Sequence, residues 1–228
     1  MKALQKIRWI ILLALLGTSS AQADGELMVM PATLKVFQGH DYFVTLRNMG
    51  SAPLYLNISL LQVRNPGLMP EDKVPLAEVE RPGLLASPER VTLGAGQSRK
   101  VLVRSLYEPS TEALYRLYVV PARAIQLEEG AAQDKITAPM SITIAYGVLL
   151  RHMPPPARQI ESWSHRCENN AIVLENTGSV RVLLTDVSSD KETTPASRAL
   201  FPGTTQRIEG KQLNWVENDQ PKTLACHG

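Results

Sequence analysis

Bulky and small side chains alternate along Met140 to Arg151 as far as Val148. Met140, Ile142, Ile144, Tyr146, Val148 and Leu150 are large and apolar, and Ser141, Thr143, Ala145 and Gly147 between them are small. A period of two belongs to a strand, so the stretch predicts a strand with one bulky face and one face that carries almost nothing. Such a strand is suited to lie against another backbone, and Pro154 to Pro156 end it abruptly. Shorter alternating runs precede it at Glu26 to Val36, Tyr42 to Asn48, Leu54 to Val63, Val91 to Leu93, Lys100 to Leu106 and Leu114 to Ala122. Turn signals such as Gln38-Gly39, Asn65-Pro66-Gly67 and Gly94-Ala95-Gly96 lie between them. No segment of comparable strength has a helical period, so this part of the chain predicts an antiparallel β-sandwich. The proline-rich stretch Met69 to Pro88 is expected to cross without regular structure.

Beyond the prolines the runs are weaker: Ala171 to Glu175, Val180 to Val187, Gln206 to Glu209 and Leu213 to Val216, with turn signals at Asn176 to Ser179 and Phe201-Pro202-Gly203. The triple proline is the best boundary by composition. The chain therefore divides into a first β domain over 24–153 and a smaller one over 154–228, all-β throughout.

The first residues change the reading of charge. Lys2, Lys6 and Arg8 precede the apolar run Trp9 to Leu16, and Ala21-Gln22-Ala23 closes a small-residue stretch, which is the pattern of a cleaved secretory signal over 1–23. The apolar run is far shorter than the ~20 residues that span a bilayer. Removing its basic residues turns the formal charge of +2 slightly negative. With no basic block and few aromatic residues, nucleic acid is excluded as a partner, and no polybasic membrane patch is present. Cys167 and Cys226, an even count in an exported chain, predict a disulfide. His165 and His227 beside them do not complete a zinc site of any recognised spacing.

Catalytic frames are missing from the sequence: there is no HExxH, no GxSxG past the leader and no phosphate loop at Gly94-Ala95-Gly96. His40, His152, His165 and His227 are scattered and read as solvated or structural. No cofactor and no metal are expected, and the function class is not enzymatic.

Several motifs, taken in order, resemble a known family. Ala86-Ser87-Pro88-Glu89-Arg90-Val91-Thr92-Leu93-Gly94-Ala95-Gly96 leading into Lys100 to Arg104, then Leu114 to Tyr118, the strand Met140 to Arg151, and Leu174 to Val182 are similar to successive segments of the periplasmic chaperones of chaperone/usher pili. The resemblance is strongest to the divergent branch that serves class 5 (colonization-factor, α-type) fimbriae and the common pilus. It implies two immunoglobulin-like β-sandwich domains in a boomerang, located in the periplasm. It also implies binding of unfinished pilin subunits and their delivery to an outer-membrane usher. The chaperone lends its strand G, whose side chains fill the groove of the subunit while its main chain covers the subunit's open edge. Self-association of the free chain through the same strand is left open.

Carried over with Arg151 as the fixed point, the family pattern puts the lent side chains at Met140, Ile142 and Ile144, with Tyr146, Val148 and Leu150 in the chain's own core. Periodicity alone leaves open whether all six fill that core. Better-known members hold the subunit's terminal carboxylate with a basic pair, but the matching positions here are Leu34 and Gly147. Arg116 and Arg151 are the candidate anchors in their place, since a guanidinium suits a buried carboxylate, with Lys35 and Arg104 as further cations in the pattern. The family's interdomain ion network falls on Glu112, Arg151 and Asp219. The alternative function is an exported pilin or adhesin-like subunit. An internal donor strand followed by a second β domain argues against it, because a pilin carries its donor segment at its own N-terminus.

Overall fold

A computed structural model describes residues 27–122, 144–217 and 219–226. The expected leader, Met140 and Ile142 lie outside the described residues.

The first half forms two facing sheets. One takes the order β1 (Leu27–Met30), β3 (Asp41–Asn48), β8 (Ser98–Ser105), β6 (Leu84–Ser87). The other runs β2 (Thr33–Val36), β10 (Tyr146–His152), β9 (Ala113–Ala122), β4 (Leu54–Val63), β5 (Lys73–Pro75), with β7 (Arg90–Leu93) also pairing with β4. The alternation read from sequence faces inward as expected. Val44, Leu46, Leu56, Ile58, Val101, Val103, Tyr115, Leu117, Val119, Val148 and Leu150 form one buried cluster between the sheets. Each such side chain contributes roughly 1.5 to 3 kcal/mol by leaving water.

Two expectations are corrected. Glu26 to Val36 is not one strand: the chain passes from one sheet to the other between β1 and β2 at Pro31, which has no N–H to offer a ladder. The stretch Met69 to Pro88 is not irregular, since it holds β5, a short 3-10 turn at Leu76–Glu78 and β6.

The second half repeats the plan on a smaller scale, with β11 (Trp163–Glu168), β12 (Ala171–Asn176) and β15 (Thr205–Glu209) facing β14 (Ala196–Leu200), β13 (Val182–Ser189), β16 (Gln212–Glu217) and β17 (Gln220–Ala225). Ile172, Leu174, Leu184, Val187, Leu200, Ile208, Leu213 and Trp215 fill it. Among the described residues, no strand of the first pair of sheets pairs with a strand of the second pair. Each sandwich fixes a strand end with a buried asparagine. The Asn48 amide donates to the carbonyls of Ala52 (2.7 Å), Leu93 (3.2 Å) and Gly94 (3.1 Å). The Asn176 amide donates to those of Val180 and Leu200, both at 2.8 Å. Each Oδ1 then accepts the N–H of a glycine two residues on, Gly50 or Gly178.

Cys167 on β11 is bonded to Cys226 just past β17, with a Cα–Cα distance of 5.8 Å. The bond joins edge strands of two different sheets, and both strands bury little of their own surface. We expect reduction to cost the second sandwich about 2 to 4 kcal/mol, the typical contribution of a disulfide. Calorimetry of oxidised and reduced protein, or of Cys226→Ser, checks this. The second transition should fall and the first stay in place.

Candidate functional site

Strand β10 is paired on one side along its whole length, from Tyr146 opposite Val119 to His152 opposite Ala113. On the other side β2 joins it in parallel only from Leu149 onward, where the Leu149 N–H donates to the Ala32 carbonyl at 2.9 Å. Upstream of Leu149 that edge has no partner strand among the described residues. The bulky face tells the same story. Leu150 and Val148 are buried in the core, Tyr146 packs partly against it, and Ile144 is 63% exposed. One row of side chains thus begins in the chain's own core and runs out of it along an edge that no other described strand takes.

The other face of this sheet looks toward the second sandwich. Register places Leu149 beside Arg116 and Thr33, Gly147 beside Tyr118, and Arg151 beside Leu114 and Lys35. Val63, Leu114 and Leu149 from this face meet Phe201 and Ala199 of the second sandwich in a small apolar contact. The β4–β5 loop adds polar contacts, since the Pro66 and Gly67 carbonyls accept from Thr204 Oγ1 (3.1 Å) and Gln206 Nε2 (3.2 Å). Gly67 has φ +84°, and a Cβ there would collide with the Ala199 carbonyl, so glycine is required for so close an approach.

The candidate anchors fare differently. Arg151 is buried and already committed: Nε and Nη2 donate to the two oxygens of Glu112 at 2.6 and 2.8 Å. Glu112, also buried, accepts at Oε2 from the Arg181 backbone N–H (2.8 Å), and its own N–H donates to the Ser179 carbonyl (2.8 Å). Glu112 thus bonds across to the second half while Arg151 bonds Glu112 from within the first, and Asp219 hydrogen-bonds to neither among the described residues. It sits on the exposed turn between β16 and β17 with φ 59°, and the second half contributes Ser179 and Arg181 instead. The Arg181 guanidinium is half-buried with its Nε unpartnered, and burial together with Arg151 pushes its pKa down.

Arg116 is also paired with a carboxylate but is less buried than Arg151. Its Nε and Nη2 donate to Glu71 at 3.1 and 2.5 Å, and its side chain is 29% exposed. The guanidinium holds the Glu71 carboxyl below the usual range, against the opposing effect of burial. Lys73 lies 4.0 Å from Glu71 and donates to the Tyr118 hydroxyl at 3.0 Å, which raises the lysine's pKa. Sequence reasoning missed Glu71, Lys73 and Tyr118, because the first two lie in the stretch that carries no periodicity. Leu34, at one of the family's basic positions, packs partly against the core, while Lys35 is exposed. Arg104 is on the opposite sheet, paired with Asp41 at 2.6 and 2.7 Å, and does not face the cleft.

Two other features are structural. His152 is fully buried, with Nε2 2.8 Å from Ser105 Oγ and 3.1 Å from the Tyr107 carbonyl. Its Nδ1 has no partner, and burial lowers its pKa to about 4 against the weaker pull of that carbonyl. The Ser105–His152 contact is enclosed, with Gln38 Oε1 2.8 Å from Ser105 Oγ, and Gln38 in turn lines a hollow of about 560 Å³ with Asp41, Tyr42 and Pro155-Pro156.

No family model matches the chain. Its fold is that of the two-domain chaperones of fimbrial assembly. The structure of the class 5 fimbriae chaperone CfaA superposes with a TM-score of 0.62 at 20% identity, over 89% of this chain and 100% of that one. A chain of the chaperone–tip adhesin complex of CFA/I fimbriae biogenesis gives 0.67 at 20% identity over 88% and 98%. A chain of the Salmonella enterica SafA pilin complex with the SafB chaperone gives 0.59 at 15% over 90% and 98%. In sequence, the chain is 26% identical to a CFA/I fimbrial subunit of Escherichia coli over 165 residues, 72% of this chain and 68% of that protein. It is 25% identical to a CS1 fimbrial subunit of Escherichia coli over 172 residues, 75% and 71%.

Two stability predictions follow from the buried groups. Glu112→Ala leaves the Arg151 charge buried without its partner, which costs about 3 to 5 kcal/mol; denaturant unfolding of the variant against the wild type reads it. His152 is neutral when folded and titrates near 6.5 when unfolded, so its contribution is complete above that pH and is lost as pH falls through about 4. Wild type should lose up to about 3 kcal/mol more than His152→Gln between pH 7 and 4. Equal acid slopes for the two would contradict this.

Proposed function

We propose that this chain is a non-enzymatic periplasmic chaperone that caps fimbrial subunits by donor-strand complementation and passes them to an outer-membrane usher. The observation that carries the reading is β10, whose bulky row leaves the core at Ile144 along an edge that β2 takes only from Leu149. A subunit lacking a strand can pair with that edge and receive Ile144, with Ile142 and Met140 continuing the row, into its apolar groove. The domain division at Pro154 fits this reading, because the lent strand then belongs wholly to the first sandwich.

For the anchor of the subunit's terminal carboxylate we assign Arg116. A strand that lies in line with β2 and stops where β2 begins ends beside Leu149, and Arg116 is the cation in register there. Arg151, with Glu112, serves the junction between the halves. The names of the relatives in sequence favour the alternative, a fimbrial structural subunit. Likeness to CfaA over both sandwiches supports the chaperone over a one-domain pilin.

Co-expression with a major subunit of class 5 fimbriae tests the proposal. Ile142→Asp and Ile144→Asp should leave the free chain folded and abolish subunit capture, because a lone charge cannot enter an apolar groove. Val148→Asp, in the core, should unfold the chain itself. Arg116→Ala should fold and weaken capture by roughly 2 kcal/mol, the low end for truncating a hydrogen-bonded charge pair. Capture undiminished by Ile144→Asp, or unfolding by it as severe as by Val148→Asp, rejects the donor strand.

A further inference from the structure

We infer that Glu71 is a positioning residue for the cleft's carboxylate site, holding Arg116 by one side of its guanidinium so that the other side, with Lys73, receives the ligand. The inference rests on the reading of Arg116 as an anchor and adds residues to it.

The geometry of the pair gives the first reason. Glu71 takes Nε and Nη2 of Arg116, the side-on pair of donors, and Nη1 makes no hydrogen bond with any described residue. A guanidinium has five donors in a fixed plane, so fixing one side aims the other. Charge gives the second reason. Arg116 and Lys73 carry two positive charges against one negative charge on Glu71, so the cluster has an excess of one, and a single incoming carboxylate neutralises it without evicting Glu71. Lys73 is kept within reach by the Tyr118 hydroxyl, to which it donates at 3.0 Å.

Glu71 is itself held from behind. Asn65 accepts the Asp72 N–H at 2.6 Å and donates to the Pro70 carbonyl at 2.9 Å, closing the loop that carries Glu71. The same loop touches the second sandwich through Pro66 and Gly67. The angle of Arg116 is thereby tied to the junction between the two halves, and the ligand site is built by a loop that both halves fix.

The probe is a short soluble peptide of alternating valine and threonine, used with a free carboxyl terminus and again as the amide. Binding to the full chain is measured by calorimetry. Wild type should prefer the free acid roughly tenfold, a typical value for one partly exposed charged contact. Arg116→Ala should erase the preference. Glu71→Ala should shrink it severalfold while leaving affinity for the amide unchanged, and Glu71→Gln, which keeps the shape and one acceptor, should restore part of it and guards against a folding defect. A loss of affinity for both peptides alike would make Glu71 structural only. A gain for the free acid would make it a competitor for Arg116. Either result, an unchanged preference in Glu71→Ala, or no preference in wild type overturns the inference. The donor-strand reading stands or falls separately, on Ile144→Asp.

Discussion

The buried pair of Arg151 and Glu112 is the contact on which the arrangement of the molecule turns. Arg151 closes the strand that carries the exposed row, Glu112 precedes β9 beside it, and both backbone and carboxylate of Glu112 reach the second sandwich at Ser179 and Arg181. Burying two charges costs several kcal/mol of desolvation apiece, so such a pair adds little net stability over an apolar one. Its value is geometric. Glu112 accepts three hydrogen bonds at fixed distances, and any change of angle between the halves breaks one of them in a place water cannot repair.

From that fixed end, β10 runs outward with a change of neighbours along its length. Near Arg151 it has strands on both sides and its apolar face is sealed. Toward Ile144 no described strand takes one side and the apolar face emerges. An open edge with bulky side chains is an aggregation hazard in a strand with no partner. A protein retains one where pairing with another chain is its purpose, which is why the edge weighs more in the functional reading than any polar cluster.

Much of this was legible in the sequence wherever a strand has one buried face. Val44 to Leu46, Leu54 to Leu60 and Val148 to Leu150 alternate because one side meets the core, and those strands stand where the pattern put them. The three strands that went unseen in the second half, β11, β14 and β17, are all at sheet edges and mostly exposed, so no burial imposes a period on them. Pairs far apart in the chain were equally invisible. Glu71 and Arg116 are 45 residues apart, and nothing in either neighbourhood announces the other. Asp219 illustrates the reverse case: a position taken from the resemblance lies on a hairpin turn, while the neighbouring domain meets Glu112 with main-chain groups that any residue could supply.

The loss of basic residues at Leu34 and Gly147 is physically consistent with the rest of the cleft. Leu34 packs partly against the first core, and Leu149, one residue along the outer face from Gly147, belongs to the apolar contact with Phe201. A cation at Leu34 would give up its packing against the first core, whereas Gly147 is exposed and stands beside Tyr118. Moving the positive charge across the sheet, to Arg116 on β9 and Lys73 on β5, places it where Glu71 can partner it and water still reaches it. Under the proposed function the subunit's carboxylate then meets a half-solvated, pre-aimed guanidinium, which exacts a smaller desolvation cost on binding than a fully buried pair would.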